Sequence, residues 1–182
     1  MPKVAKSVPV LAACVPLPRA VVLDSGCSSG IGRESVLHLR KAGALVVATA
    51  RDVASIRDLE APGDVEALRL DVTSEADRAA AVAEVLRRHG RIDALVNNAG
   101  FGATRAVEDT PVEQLRSIFE VNLFGAHDLA RRVLPGMRAQ GHGRIVNVSS
   151  VAGHIPVPML GAYCASKFAL RALTEAMDNE VR

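Results

Sequence analysis

Tyr163 and Lys167 stand four residues apart in Tyr163-Cys-Ala-Ser-Lys167. On a helix that spacing puts both side chains on one face, about a turn from each other. A phenol with a pKa of about 10 is a poor proton donor or acceptor at neutral pH, and an adjacent ammonium stabilises the phenolate and brings the pair toward useful range. Ser150, 13 residues before Tyr163, offers a hydroxyl that could hold a substrate oxygen while charge develops on it. Taken alone, a Tyr-x-x-x-Lys pair is as consistent with an amphipathic helix and a solvated lysine. Its meaning depends on what the rest of the chain builds around it.

The elements that would position this pair follow from hydrophobic patterning. The apolar run Ala20-Val-Val-Leu23 reads as a buried strand. It is followed by the glycine-rich turn Asp24-Ser-Gly-Cys-Ser-Ser-Gly-Ile-Gly32 and a helix to about Ala42. Glycines at 26, 30 and 32 permit positive φ and close approach of a phosphate to the backbone, and a helix N-terminus offers unpaired N–H groups to an anion. The second strand, Ala44 to Arg51, ends in a guanidinium where nucleotide-binding βαβ units that hold an NAD ribose carry an acid. Arg51 suits a 2′-phosphate, although a solvated arginine is the plainer reading. A weak helix (53–60) and a turn lead to a third strand (66–70) ending at Asp71. That carboxylate could take a hydrogen bond from an adenine amino group or cap the helix that runs from Ser74 to His89 and stops at Gly90.

A fourth strand, Ile92 to Val96, ends in Asn97-Asn98-Ala99-Gly100, where small and amide side chains leave room and hydrogen-bonding groups for a ligand. Thr110-Pro111-Val-Glu113 has a helix-starting pattern, with Thr110 as cap and Pro111 at the first position. One long helix should follow to about Ala139, with Asn122 inside it; a mid-helix asparagine can interrupt the backbone ladder. The fifth strand (144–149) and the Tyr163 helix complete an α/β pattern, an open, doubly wound Rossmann-type parallel sheet with helices on both faces.

Composition narrows the function classes. Of 182 residues, 49% are apolar and 23% charged, and the net charge of +2 comes from scattered Lys and Arg with five aromatic side chains in all. This argues against a nucleic-acid partner. Three cysteines (Cys14, Cys27, Cys164) without ligand spacing suggest reduced thiols, no metal site and a cytoplasmic location. No apolar run reaches the ~20 residues of a membrane span. Residues 1–19 read as a disordered leader: Leu11-Ala-Ala-Cys14 resembles a lipoprotein processing site, but its apolar run is short and broken by Pro9, Pro16 and Pro18. Residues 20–182 then form one dinucleotide-binding domain.

Together, the segment Ser25 to Gly32, Asp71-Val72, Asn97 to Gly100, Asn122, Ser150 and Tyr163-x-x-x-Lys167, in this order and spacing, resemble the short-chain dehydrogenase/reductase family, including members that act on steroids and retinol. The resemblance implies a catalytic tetrad. Tyr163 is the acid/base, Lys167 binds the nicotinamide ribose and lowers the Tyr163 pKa, Ser150 orients a carbonyl, and Asn122 holds a proton-relay water. It further implies cofactor contacts from Gly26, Ser29, Gly30, Ile31, Gly32, Arg51, Asp71, Asn98, Gly100, Tyr163 and Lys167; the guanidinium of Arg51 at the end of the second strand predicts that NADP(H) is preferred over NAD(H). The expected substrate is an apolar small-molecule ketone, aldehyde or alcohol, with Ile155, Val157, Met159 and Leu160 bordering the pocket or serving as core. Family members commonly pair into homo-oligomers through the helices corresponding to 111–139 and 162–181. Two departures stand out. Asp24 replaces an apolar strand residue, and the chain stops at Arg182 without the last strands of the family fold. The expected consequence is an exposed fifth strand, and the alternative to an enzyme is a non-catalytic remnant that binds nucleotide weakly or acts through association.

Overall fold

The computed structural model of the chain describes residues 17–181. Most of the expected leader, including Cys14, lies outside the described residues; its last three residues form a turn, with the Arg19 amide donating to the Gly43 carbonyl at 2.7 Å.

Five parallel strands make one sheet in the order β3-β2-β1-β4-β5. They are β1 (Val21–Ser25), β2 (Leu45–Ala50), β3 (Val65–Arg69), β4 (Ala94–Asn97) and β5 (Arg144–Asn147). Because successive side chains on a strand point to opposite faces, each face carries its own core. Val21 and Leu23 of β1 pack with α2 (Glu75–His89) and α4 (Ala126–Gln140) through Val82, Val85, Leu129 and Val133. Val22, Val46 and Ala48 pack with Val36 of α1 (Gly30–Lys41) and with Ile56 and Leu59 of a 3-10 helix, Val53–Leu59. Helices therefore cover both faces, as a doubly wound sheet requires. The order reverses between β1 and β4, leaving a crevice above the carboxyl ends of the strands at that point.

Local chemistry accounts for several boundaries. Ser74 caps α2 by accepting the Asp77 amide at 3.2 Å, Glu75 and Asp77 stand in its first turn, Arg87, Arg88 and His89 in its last, and Gly90 closes it at φ 73°. Arg78 ties α2 to α4 through Asp128 at 2.7 Å and to the Val72 carbonyl at 2.6 Å, fixing the loop after β3 that borders the crevice.

Four expectations change. The segment 53–60 is 3-10 and not α-helical. Pro111, not Thr110, is the N-cap of α3 (Val112–Phe119), because the Thr110 hydroxyl donates to the Ala106 carbonyl at 2.7 Å. The single long helix is instead α3, a π-helical segment Glu120–Gly125 and α4. Finally, β1 runs two residues further than expected, so Asp24 lies inside the central strand and wholly buried. β5 is an edge strand on which Val146 is 44% exposed.

Candidate active site

The turn after β1 is held shut by its neighbours. The Ser25 hydroxyl donates to the Val96 carbonyl at 3.2 Å and accepts the amides of Asn98 (3.1 Å) and Ala99 (3.2 Å). The Asn98 side-chain amide in turn donates to the Ser25 and Gly26 carbonyls at 3.0 and 3.1 Å. Gly26 sits at φ 76°, and a Cβ there would lie 2.8 Å from the Ala99 Cα; a Cβ at Gly32 would collide with Asn98 and the Gly26 carbonyl. These two glycines thus have a steric reason: the chain must pass backbone to backbone. Ser29, at the N-cap of α1, makes no side-chain capping bond, so the first-turn N–H groups remain available to an anion.

From this turn a cleft of about 840 Å³ runs over the strand ends to Tyr163 and Lys167. It brings together nine of the eleven cofactor positions expected from sequence; the exceptions are Gly30 and Gly32, and Gly32 serves close packing instead. Arg51 lies exposed at the tip of β2. Asp71 does not cap α2. Its Oδ1 accepts the Thr73 amide and hydroxyl at 2.9 and 2.8 Å. Burial alone would raise the Asp71 pKa, but the two Thr73 bonds and the charges of Arg51 and Arg69 outweigh it and hold the carboxyl below its usual range.

At the other end, α5 (Gly161–Val181) carries Tyr163 and Lys167. Lys167 is only 4% exposed. Its Nζ donates to the Val148 carbonyl at 2.8 Å and lies 5.8 Å from the centre of the Tyr163 ring. Burial pushes its pKa down from the ordinary lysine value. The backbone at Gly102 lies against the Tyr163 ring, where a Cβ would be 2.9 Å from Cδ2.

Asn122 is buried in the π segment and stands beside the Tyr163–Lys167 pair without lining the cleft. A Cβ on Gly100 would lie 3.1 Å from Asn122 Oδ1 and 3.4 Å from Lys167 Nζ. Both ends of the Asn122 amide are engaged. Oδ1 accepts the Phe101 N–H at 2.9 Å, while Nδ2 donates to the Phe101 carbonyl at 2.9 Å and to the Ser166 hydroxyl at 3.0 Å.

Ser150 follows the end of β5 and caps the short 3-10 turn Val151–Gly153, its Oγ accepting the Ala152 amide at 3.1 Å. It does not line the cleft; its neighbour Ser149 does, with a buried Oγ that has no hydrogen-bond partner among the described residues. Nor do Ile155, Val157, Met159 and Leu160 line it; Ile155 and Met159 are 53% and 49% exposed on the loop before α5. Ser28, Thr73, Phe101 and Ser117 line the cleft and escaped sequence reasoning. Only the serine at 28 had a local signal, its place inside the glycine turn.

The arrangement provides a phosphate-sized cradle, a long polar cleft and a phenol–ammonium pair at its far end, all features of a dinucleotide site with an acid/base beside it. Comparison with known proteins agrees. The family model for short chain dehydrogenases matches residues 20–182. The chain is 41% identical over 162 residues to the Escherichia coli K12 protein named "Uncharacterized oxidoreductase YbbO", covering 88% of this chain and 60% of that protein. It is 36% identical to a 3-ketodihydrosphingosine reductase of Bacteroides thetaiotaomicron, covering 88% and 58%. A crystal structure of a metagenomic short-chain oxidoreductase in complex with NADP superposes with a TM-score of 0.87 at 37% identity, covering 92% of this chain and 77% of the other. The chain spans about 60% of the length of the curated relatives it matches.

Proposed function

The chain belongs to the short-chain dehydrogenase family, and on that premise we propose that it carries the cofactor and acid/base half of an NADP(H)-dependent carbonyl reductase or alcohol dehydrogenase acting on an apolar small molecule. The observation that carries this reading is Lys167, a buried ammonium beside the Tyr163 ring at the end of a glycine-cradled cleft. In support of a dinucleotide ligand, the cleft of about 840 Å³ is lined by Gly26, Ser29 and Ile31 at its cradle end and by Tyr163 and Lys167 at the other.

In this proposal the first turn of α1 and the Ser29 hydroxyl hold the pyrophosphate, Arg51 takes the 2′-phosphate, and Asp71 takes the adenine end. Asn98 and Gly100 line the middle, and Lys167 takes the nicotinamide ribose. A bound nicotinamide supplies or accepts a hydride. Tyr163 gives or takes the proton on the substrate oxygen, helped by the positive charge of Lys167. Ser150 lies outside the cleft with its Oγ accepting the Ala152 amide, and in this proposal it still donates its hydroxyl proton to that oxygen. Since the Asn122 side chain is fully engaged, a relay water would fall to its backbone carbonyl.

Calorimetric titration with NADPH and NADH, followed by NADPH oxidation over ketones and aldehydes, tests the reading. NADPH should bind more tightly than NADH, and Arg51→Ala should weaken NADPH by roughly tenfold, the loss of about one charge-assisted hydrogen bond, with NADH unchanged. No turnover by folded protein would favour binding or association without catalysis. Self-association through α4 and α5 belongs to the same proposal, supported by the apolar groove of about 350 Å³ between them; sedimentation of the purified chain checks it.

A further inference from the structure

Ser166 has no place in the chemistry proposed above, yet it is wholly buried, within the helical turn that carries Tyr163 and Lys167. Its hydroxyl donates to the Tyr163 carbonyl at 2.7 Å and accepts from Asn122 Nδ2 at 3.0 Å. The orientation of the Asn122 amide is not free. Phe101 presents both an N–H and a C=O to it, so Oδ1 must face the first and Nδ2 the second. Nδ2 therefore points a proton at Ser166, which can only accept it and must send its own proton to the Tyr163 carbonyl. Phe101 leads into Gly102, whose backbone lies against the Tyr163 ring. The contacts close a circuit: Ser166, Asn122, Phe101, Gly102, Tyr163 and back to Ser166. The phenol ring is gripped on one side by backbone that Asn122 holds, and Asn122 is anchored to α5 by one hydroxyl.

We propose that Ser166 is a positioning residue for Tyr163, acting through Asn122 and the Phe101–Gly102 backbone without touching substrate or cofactor. Its catalytic consequence rests on the function proposed above; its structural consequence does not. The chain has one tyrosine and no tryptophan, so the tyrosine band in near-ultraviolet circular dichroism reports the immobilisation of the Tyr163 ring directly.

The test compares Ser166→Ala, Asn122→Ala and the double variant by that band, by kcat and KM for NADPH-linked carbonyl reduction, and by NADPH affinity. Ser166→Ala should weaken the tyrosine band and lower kcat by roughly ten- to a hundredfold, the effect of a small misplacement of a reacting group, while KM and NADPH affinity stay within about twofold. Adding Ser166→Ala to Asn122→Ala should produce no further loss. Ser166→Cys, similar in volume but a weaker donor and acceptor, supplies the same comparison should the alanine variant not fold, with an intermediate loss expected. An unchanged band with kcat within twofold of wild type overturns the proposal, as do fully additive losses in the double variant. If the wild-type chain turns over no carbonyl, the functional reading fails, and the tyrosine band alone decides the role of Ser166.

Discussion

Asp24 and Lys167 are both buried ionisable side chains, and both have their charged form disfavoured by burial. Their surroundings differ. Lys167 sends its ammonium to a backbone carbonyl and borders the cleft, where a second partner can reach it. Asp24 lies between the central strand and α1. One carboxyl oxygen accepts the Ser35 hydroxyl, the other has no partner, and burial pushes its pKa from 3.8 up to about 7. The buried Cys27 thiol, which donates to the Asp24 carbonyl at 3.3 Å, is pushed up by burial and by the same carboxylate. A perturbed group is therefore not a functional group by virtue of its burial; access to a cleft separates the two.

The largest effect expected of this contrast is on the Lys167 side. Replacing Lys167 by Met should lower the NADPH-linked reduction rate by roughly a thousandfold, within the range for loss of acid/base assistance, and leave the melting temperature close to that of wild type. A rate loss below tenfold would put Lys167 in the same class as Asp24.

The opposite pattern is expected of Asp24→Val: no loss of cofactor affinity and a gain in stability. The gap between 3.8 and about 7 corresponds to on the order of 4 kcal/mol against the folded state once the group must ionise. A valine packed beside Val22 and Val36 should recover about 2–4 kcal/mol at pH 8, read by chemical denaturation. Folded Asp24 binds its proton more tightly than the unfolded chain does. Its contribution to stability is therefore whole below about pH 4, falls as pH rises to about 7, and is flat above that. The stability difference between Asp24→Val and wild type should grow across that window. A difference independent of pH would show that Asp24 titrates alike in the folded and unfolded chain.

The smallest expected effect sharpens the same point. Ser35→Ala removes the one side-chain donor to the Asp24 carboxyl and should destabilise the chain by about 2 kcal/mol at pH 8, where the bond is charge-assisted, and by about 1 kcal/mol at pH 5, where it is neutral. Equal losses at both values would argue that the folded carboxyl carries the same charge at pH 5 as at pH 8.

Near-neighbour spacing carried much of the site. Tyr163 and Lys167 share a helix face because a helix turns every 3.6 residues, and the glycine turn announces itself by the strand before it and the helix after it. Both were legible because their signals lie within a few residues of chain, although Asn98 and Ala99, far along the chain, hold the turn shut. Patterning also gave the alternation of strands and helices, hence the doubly wound sheet. What sequence could not give depended on partners far along the chain. The π segment at Asn122 is tied to Phe101, 21 residues earlier, and to Ser166, 44 residues later, so no local rule distinguishes it from a straight helix. Thr110 lost its capping role to a bond with Ala106, and the loop 153–161 does not line the cleft. Patterning alone set Asp24 at the start of a turn, whereas the family resemblance set it at an apolar strand position; β1 pairs on both sides as far as Asp24, which makes it a core residue. Propensity and periodicity decide which elements form and which faces they offer; only packing decides which side chain meets which, because those contacts close loops of tens of residues that no local preference encodes.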